Sequence, residues 1–401
     1  MIAMAVILVR KFMGIMMNKF LGYMRPDGQV GVRNHLLVLS ATGLTGPTGR
    51  RISQTLIGAL FVSMPYDGGL LGEDRDAQIR ALIGFGVNPN VGAVLMIGGN
   101  PPKLEHLAKE MSKSGKPVIS ISMDECNHDA ITLTERSIRA GAKLMLKISQ
   151  QRRVACPLSK LFLGLECGRS DPSSGLVSNP MLGLMADWIV DEGGKAVFGE
   201  TTEWLGAEHL LAKRGVTPTV QQAILDAVLD NENRAIEAKL DLTGENPGPT
   251  NIAGGLSTIE EKSLGNIAKS GSRPIQSVLK YAETPATPGL HAMHAATYAP
   301  ESVSGFTASG ANLILFTTGQ GNSFVNLISP TIKISANPVT EAHIKEQFDF
   351  TCSNVFSGEV LLEDAVPRFL ELIVDVASGT KTWGEVLGEG EEVVSRFGVS
   401  L

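Results

Sequence analysis

His35–Ala41, HLLVLSA, is the stretch that decides the fold. Between its first residue and Ser40 it is unbroken apolar sequence, and it stops at a glycine- and threonine-rich turn, GLTGPTG (43–49). A short run that is apolar in every register reads as a strand covered on both faces, as in a parallel sheet flanked by helices. The same pattern recurs outward from it. An amphipathic stretch covers 50–57, and VGAVLMI (91–97) is a second buried strand ending at GGNPP (98–102). A helix follows over 103–113, a third strand over 118–123 and a helix over 131–149. Strands separated by helical patterns of 10 to 15 residues imply βαβ units.

After a polar boundary at QQRR (150–153) the cycle restarts. Strands are expected at 161–165 and 196–199, and helices at 180–192, 207–214 and 220–240. Two late strands follow at 313–317 and 331–335, and closing helices at 367–377 and 383–387. The loop NPGPTNIAGG (246–255) is too dense in turn formers for either regular element. The fold class is therefore α/β, with two Rossmann-like or flavodoxin-like domains and mainly parallel sheets. The organisation reads as an N-terminal extension (1–20), disordered or partly helical, a first domain (21–150) and a second domain (154–401) that carries most of the site loops.

Composition narrows the function. Of 401 residues, 43% are hydrophobic and 19% charged, with 44 glycines; aromatics are 5% and the net charge is −6. Few stacking aromatics and no positive field argue against nucleic acid or an anionic membrane as partner. An anionic substrate then needs a locally basic pocket. Four scattered cysteines without a CxxC pair, and no secretory signal, point to a cytoplasmic protein without disulfides.

Parallel α/β sheets bind ligands beyond the carboxyl ends of their strands, and that rule selects loops. GLTGPTG could cradle a carboxylate or phosphate, or could be a helix start capped by Thr45 or Thr48. ECGRSDPSSG (166–175) packs a thiol, carboxylates, an arginine and serines directly after a strand. GETTEWLGAEH (199–209) places Glu200 at a strand end and Glu208 and His209 on the next helix. Carboxylate, imidazole and thiolate together suit a divalent transition metal such as Fe²⁺ or Mn²⁺, or another divalent ion, so Cys167, Glu200 and His209 form the expected ligand set. In GGLSTIEEKSLGNIAKSG (254–271) a capping box explains the acids and leaves Lys262 as a candidate clamp or a plain surface lysine. FTTGQGNSF (316–324) offers Gln320 and Asn322 to a hydroxylated ligand. His291, His294 and His343 carry no usable spacing.

The segments 22–35 (GYMRPDGQVGVRNH), 80–98, 166–180, 198–212, 251–271 and 317–338 together resemble the altronate/galactarate dehydratase family, and within it especially the sulfolactate-cleaving branch. They run collinearly over nearly the whole chain from residue 22. The resemblance implies a lyase that uses Fe²⁺, acts on a small anionic hydroxy acid, and works with a separate small subunit carrying a domain absent here. Matched by motif, the functional positions it implies are Arg33, Asn34 and His35 in GVRNH, Cys167 and Asp171 in ECGRSD, Glu200 in GET, and Glu208 and His209 in AEH. With Arg169 and Ser170 these give the expected substrate-binding set Arg33, Asn34, Arg169, Ser170, Asp171, Gln320 and Asn322. His35 or His209 is the candidate general base, and Lys262 is a third catalytic candidate. A homo-oligomer is expected. Three reactions or roles compete: dehydration of an aldonic or aldaric acid, release of sulfite from sulfolactate, and non-catalytic binding of an anion.

Overall fold

A computed structural model describes residues 19–242 and 246–394. Most of the expected N-terminal extension lies outside these residues, but Lys19 and Phe20 already belong to a strand. That strand, β1 (Lys19–Met24), alternates exposed and buried side chains, and is followed by the two-residue β2 (Val30–Gly31).

The first domain is a parallel four-stranded sheet built from β3 (His35–Ser40), β4 (Leu60–Ser63), β5 (Val91–Gly98) and β6 (Val118–Ser122), in the order β4-β3-β5-β6. Helices Gly46–Thr55, Gly72–Val87, Pro101–Ser112 and Ala130–Ile148 cover its faces. This covering explains why β5 is buried at every position. The GLTGPTG turn is an ordinary helix entry. Thr42, not Thr45 or Thr48, supplies the cap by accepting from the Leu44 amide.

β7 (Val154–Pro157) joins β1 and β2 in a small antiparallel sheet. The second domain follows with β8 (Phe162–Gly168), β9 (Lys195–Phe198), β10 (Ile275–Leu279), β11 (Gly289–Met293), β12 (Leu313–Thr318), the two-residue β13 (Val325–Asn326), β14 (Thr331–Ser335) and β15 (Phe350–Thr351). Seven of these form one parallel sheet, ordered β10-β11-β9-β8-β12-β14-β15. The chain proceeds outward from β8 in one direction and then returns to lay β12 on its other side. The loops after β8 and β12 therefore face each other across a topological switch point, the position where open α/β sheets bind ligands.

Two details depart from the sequence reading. The loop at 246–255 contains a short helix, Pro249–Ala253, entered through a proline at its first turn. The last long helix begins earlier than expected, at Leu362, and carries Pro367 near its start. Among the described residues no helix is long and apolar enough to cross a membrane.

Buried asparagines stitch the two domains together. The Asn90 Oδ1 accepts the amides of Val32 (2.8 Å) and Arg33 (3.2 Å), and its Nδ2 donates to the Asn312 carbonyl (2.9 Å). Asn312 in turn donates to the carbonyls of Val30 and Lys160 and accepts the Phe162 amide. Asn88 reaches the Thr307 and Ala311 carbonyls at 2.8 and 3.0 Å. Below them the helices Gly72–Val87 and Ala299–Ala308 touch at Gly84, where a Cβ would sit 2.1 Å from the Ala308 carbonyl oxygen. Only glycine permits that approach.

Candidate functional site

The thiol, acids and amines converge at the carboxyl ends of β8 and β9. β8 delivers Glu166 and Cys167, and the strand's two-residue period sends them to opposite faces. Cys167 is 2% exposed. The chain leaves β9 through Gly199 and turns at Glu200, which has φ 67°, an uncommon left-handed conformation for a residue other than glycine. A single 3₁₀ turn, Thr201–Trp204, then brings Glu203 back beside Glu200. Trp204 anchors the turn, donating its indole N–H to the Gly199 carbonyl at 2.9 Å against Phe198.

The helix Ile259–Ala268 supplies the other half. Lys262, Asn266 and Lys269, spaced four and three residues apart, share one helical face. Lys269 is wholly buried and forms an ion pair with the equally buried Glu200. Lys262 pairs with Glu203 at 2.7 Å and donates to the Asn246 Oδ1 at 2.5 Å. The Asn266 Nδ2 donates to Glu203 (2.8 Å) and to the Cys167 sulfur (3.3 Å), and the Lys269 amine donates to the same sulfur at 3.4 Å. The thiol donates toward Glu200 at 3.6 Å. Cys167, Glu200 and Glu203 each offer a ligand atom, and these lie within 4.8 Å of one another.

Charge in this cluster is matched. Two lysines stand against Glu200 and Glu203. Burial raises the Glu166 pKa to about 8, so its carboxyl is mostly protonated at neutral pH; Lys269 and the Ser302 hydroxyl, 2.8 Å away, pull in the other direction. The Cys167 thiol is also pushed up, first by burial and further by Glu203 and Glu166, against the lowering effect of Lys269. Near it the Asn266 Oδ1 is buried with no hydrogen-bond partner among the described residues. An unpartnered oxygen near a thiol and two carboxylates makes a donor set that fits a divalent transition metal.

The structure brings Cys167 and Glu200 together but corrects the third expected ligand. His209 is exposed on the short helix Glu208–Ala212, outside the cluster. That helix turns Leu211 and Ala212 to the core, which leaves His209 on the outer face, and the third side chain beside Cys167 and Glu200 is Glu203. Glu203, Asn266 and Lys269 were missed by sequence reasoning. The i, i+4, i+7 spacing of Lys262, Asn266 and Lys269 was the available signal.

The GVRNH residues are also corrected. They sit at the amino end of β3, the wrong end for a ligand loop. Arg33 donates to both oxygens of Glu385 (2.6 and 2.8 Å) and to the carbonyls of Val32, Val376 and Thr380. All five of its N–H donors are thus used within the protein, and none remains for substrate. Asn34 bridges Arg25 and the Ile148 carbonyl. The half-buried His35 ring has its pKa lowered to about 4 by desolvation and by Arg33, so it is neutral, and it lies at the far end of its strand from the cluster. Arg33→Ala is expected to lower stability by about 2–4 kcal/mol through loss of a buried charged network. Chemical denaturation checks this, and the folded fraction should keep near-native specific activity.

Across the switch point, Arg169 (φ 52°) is exposed and reaches the Gly321 carbonyl and the Gln320 Oε1, both at 3.3 Å. Gln320 donates onward to the Thr250 carbonyl. The Asp171 carboxylate accepts from Ser173 (2.6 Å), from the Ser174 amide and from Asn337 (2.6 Å), so it organises this loop pair. Asn322 presents a buried Oδ1 without a partner among the described residues, and its carbonyl accepts from Lys333.

Comparison with known proteins agrees with this architecture. Residues 22–149 match the model of the D-galactarate dehydratase/altronate hydrolase second domain, and residues 158–400 that of the D-galactarate/altronate dehydratase C-terminal domain. The chain is 38% identical to a (2R)-sulfolactate sulfo-lyase subunit beta from Chromohalobacter salexigens, over 94% of this chain and 97% of that one. It is 30% identical to the altronate dehydratases of Bacillus subtilis and Escherichia coli, over 95% and 94% of this chain and 78% of each of theirs. A chain matched by both family models over nearly its whole described length, with relatives named as lyases and dehydratases, is itself a lyase and belongs to the D-galactarate/altronate dehydratase family.

Proposed function

We propose that this chain is the large catalytic subunit of a metal-dependent lyase that dehydrates a small anionic sugar acid by β-elimination. The observation that supports this reading is the burial of Cys167, Glu200 and Glu203 within 4.8 Å of one another, flanked by two lysines. These three side chains would hold a divalent ion, with Fe²⁺ first and Mn²⁺ second. When bound, such an ion neutralises the substrate carboxylate and polarises the leaving oxygen.

The chain's own residues have separate tasks. Lys262, the less buried of the two amines, lies nearest solvent and can meet the carboxylate of an arriving substrate. Lys269 supplies the counter-charge to Glu200 where both side chains are fully buried. Fixed cations facing an enolate-like transition state are worth several kcal/mol because they need no reorganisation. Arg169, Ser170, Gln320 and Asn322 offer donors from the facing loops.

A second reading is release of sulfite from sulfolactate, favoured by the 38% identity to a sulfo-lyase beta subunit over 97% of its length. The same similarity supports a separate small partner subunit. The experiment is an anaerobic assay of the chain, alone and co-expressed with any short reading frame that adjoins its gene, loaded with Fe²⁺ or Mn²⁺. Formation of a 2-keto-3-deoxy acid from altronate or galactarate, lost on chelation and restored by metal, is expected. Sulfite from sulfolactate, with no keto-deoxy product, would replace the first reading with the second. Tight binding of a hydroxy acid without any turnover would overturn both.

A further inference from the structure

The loop 246–255, dense in turn formers, lies across the switch point and touches both of the facing loops. Its Asn251 Nδ2 donates to the Ser170 carbonyl at 2.7 Å, and its Thr250 carbonyl accepts from Gln320 at 2.9 Å. A Cβ on Gly254 would sit 3.4 Å from the Asp171 Cβ, and one on Gly255 would sit 3.2 Å from the Pro172 ring. The short helix Pro249–Ala253 is thus held on the β8 loop from one side and the β12 loop from the other. Asn251 also fixes the entry to that helix, its Oδ1 accepting the Gly248 amide at 3.1 Å.

Holding the helix places the residues that precede it. Asn246 is 6% exposed and stands against Lys262, whose amine donates to its Oδ1 at 2.5 Å. An ammonium has only donors, so the amide must turn its oxygen to Lys262. Its Nδ2 occupies the other branch, buried and without an acceptor among the described residues. Buried polar groups are almost always paired, and an amide N–H shut away from water without an acceptor destabilises the fold that holds it. Lys262 is in a similar state. One of its three N–H donors goes to Glu203 at 2.7 Å and one to Asn246, and no item of the described structure accepts the third.

We propose that Asn246 and Lys262 form a two-donor seat for a carboxylate of the substrate, and that Asn246 selects an acidic group over a neutral one there. A carboxylate oxygen accepts both N–H groups, and hydrogen bonds to a charged acceptor are roughly twice as strong as neutral ones. The seat adjoins the cluster because Lys262 also holds Glu203. That the acceptor is a carboxylate rests on the lyase reading above; that a ligand oxygen meets the Asn246 amide does not.

Asn246→Asp isolates the donor. It keeps an oxygen for Lys262 and the side-chain volume, and it replaces the free N–H by an acceptor. Calorimetry on the metal-free chain, where nothing turns over, compares altronate, galactarate and sulfolactate with the neutral polyol galactitol. The unsubstituted chain should bind at least one acid tenfold or more tightly than galactitol. Asn246→Asp should lose at least tenfold in affinity for that acid, with an unchanged Tm. In the metal-loaded enzyme the same change should raise KM tenfold or more and lower kcat far less. Asn246→Ala, which removes the donor without adding a charge, should show the same losses in smaller measure, and it decides the matter if the first variant does not fold. Acid binding that depends on Asn246, with no turnover by any form, would sink the lyase reading and keep the seat. Turnover with unchanged KM and acid binding in the folded variants would sink the seat and keep the lyase. An unsubstituted chain that binds none of the acids more tightly than galactitol would also overturn the proposal.

Discussion

Lys269→Met is expected to be among the most damaging single changes in the protein. It removes the cation from a pair in which both side chains are completely buried and leaves the Glu200 carboxylate without a counter-charge. Breaking a buried pair from one side costs about 3–5 kcal/mol, because the remaining charge has lost water and gained nothing in its place. For a domain of this size that corresponds to a fall in Tm of about 10 °C. The double change Lys269→Met with Glu200→Leu is expected to restore most of the stability, since removing both charges avoids the orphan, while activity stays absent. A double variant as unstable as the single one would show that the pair is not the source of the loss. Thermal unfolding of the four proteins in the cycle provides the coupling energy.

Glu200→Gln isolates charge from shape. The amide keeps the volume and an acceptor for Lys269 but withdraws a ligand and the negative charge. Turnover is expected to fall by about 10³-fold, the scale seen when a preorganised electrostatic group is removed. Bound metal per chain, measured after anaerobic loading, should fall with it, and Tm should fall too, because Lys269 loses its counter-charge, but less than in Lys269→Met because the amide still accepts its hydrogen bond. Full metal content in the variant would remove Glu200 from the proposed ligand set. Glu203→Gln should repeat the metal loss, whereas His209→Ala should leave metal content untouched because that ring is exposed outside the cluster.

How much of this was legible beforehand depended on local pattern. β3, β5, β8 and β12 announce themselves because strands covered on both faces must be apolar throughout. β1 alternates instead, and it lay beside an N-terminal stretch read as an extension, so its pairing with β7 was not visible. β4, β10 and β11 went unread; in β10 and β11 the polar residues Gln276, Ser277 and His291 break the apolar run. At the site, Cys167 and Glu200 were readable because they emerge at strand ends. Lys269 and Asn266 were not, because choosing the inward face of a helix requires knowing what it packs against. Arg33 was misread for a related reason. Its main partner, Glu385, lies 352 residues away, so a charged motif that locks two parts of the chain looks the same in sequence as one that awaits a ligand.

The asparagine stitches carry a further consequence. Asn88, Asn90 and Asn312 spend their amides on main-chain groups of both domains, and no water reaches them. A hinge-like swing of one domain against the other would have to break several buried bonds at once, so the two domains are expected to move as one body. Amide exchange should register this: protons at 32 and 33 are expected to leave only with global unfolding.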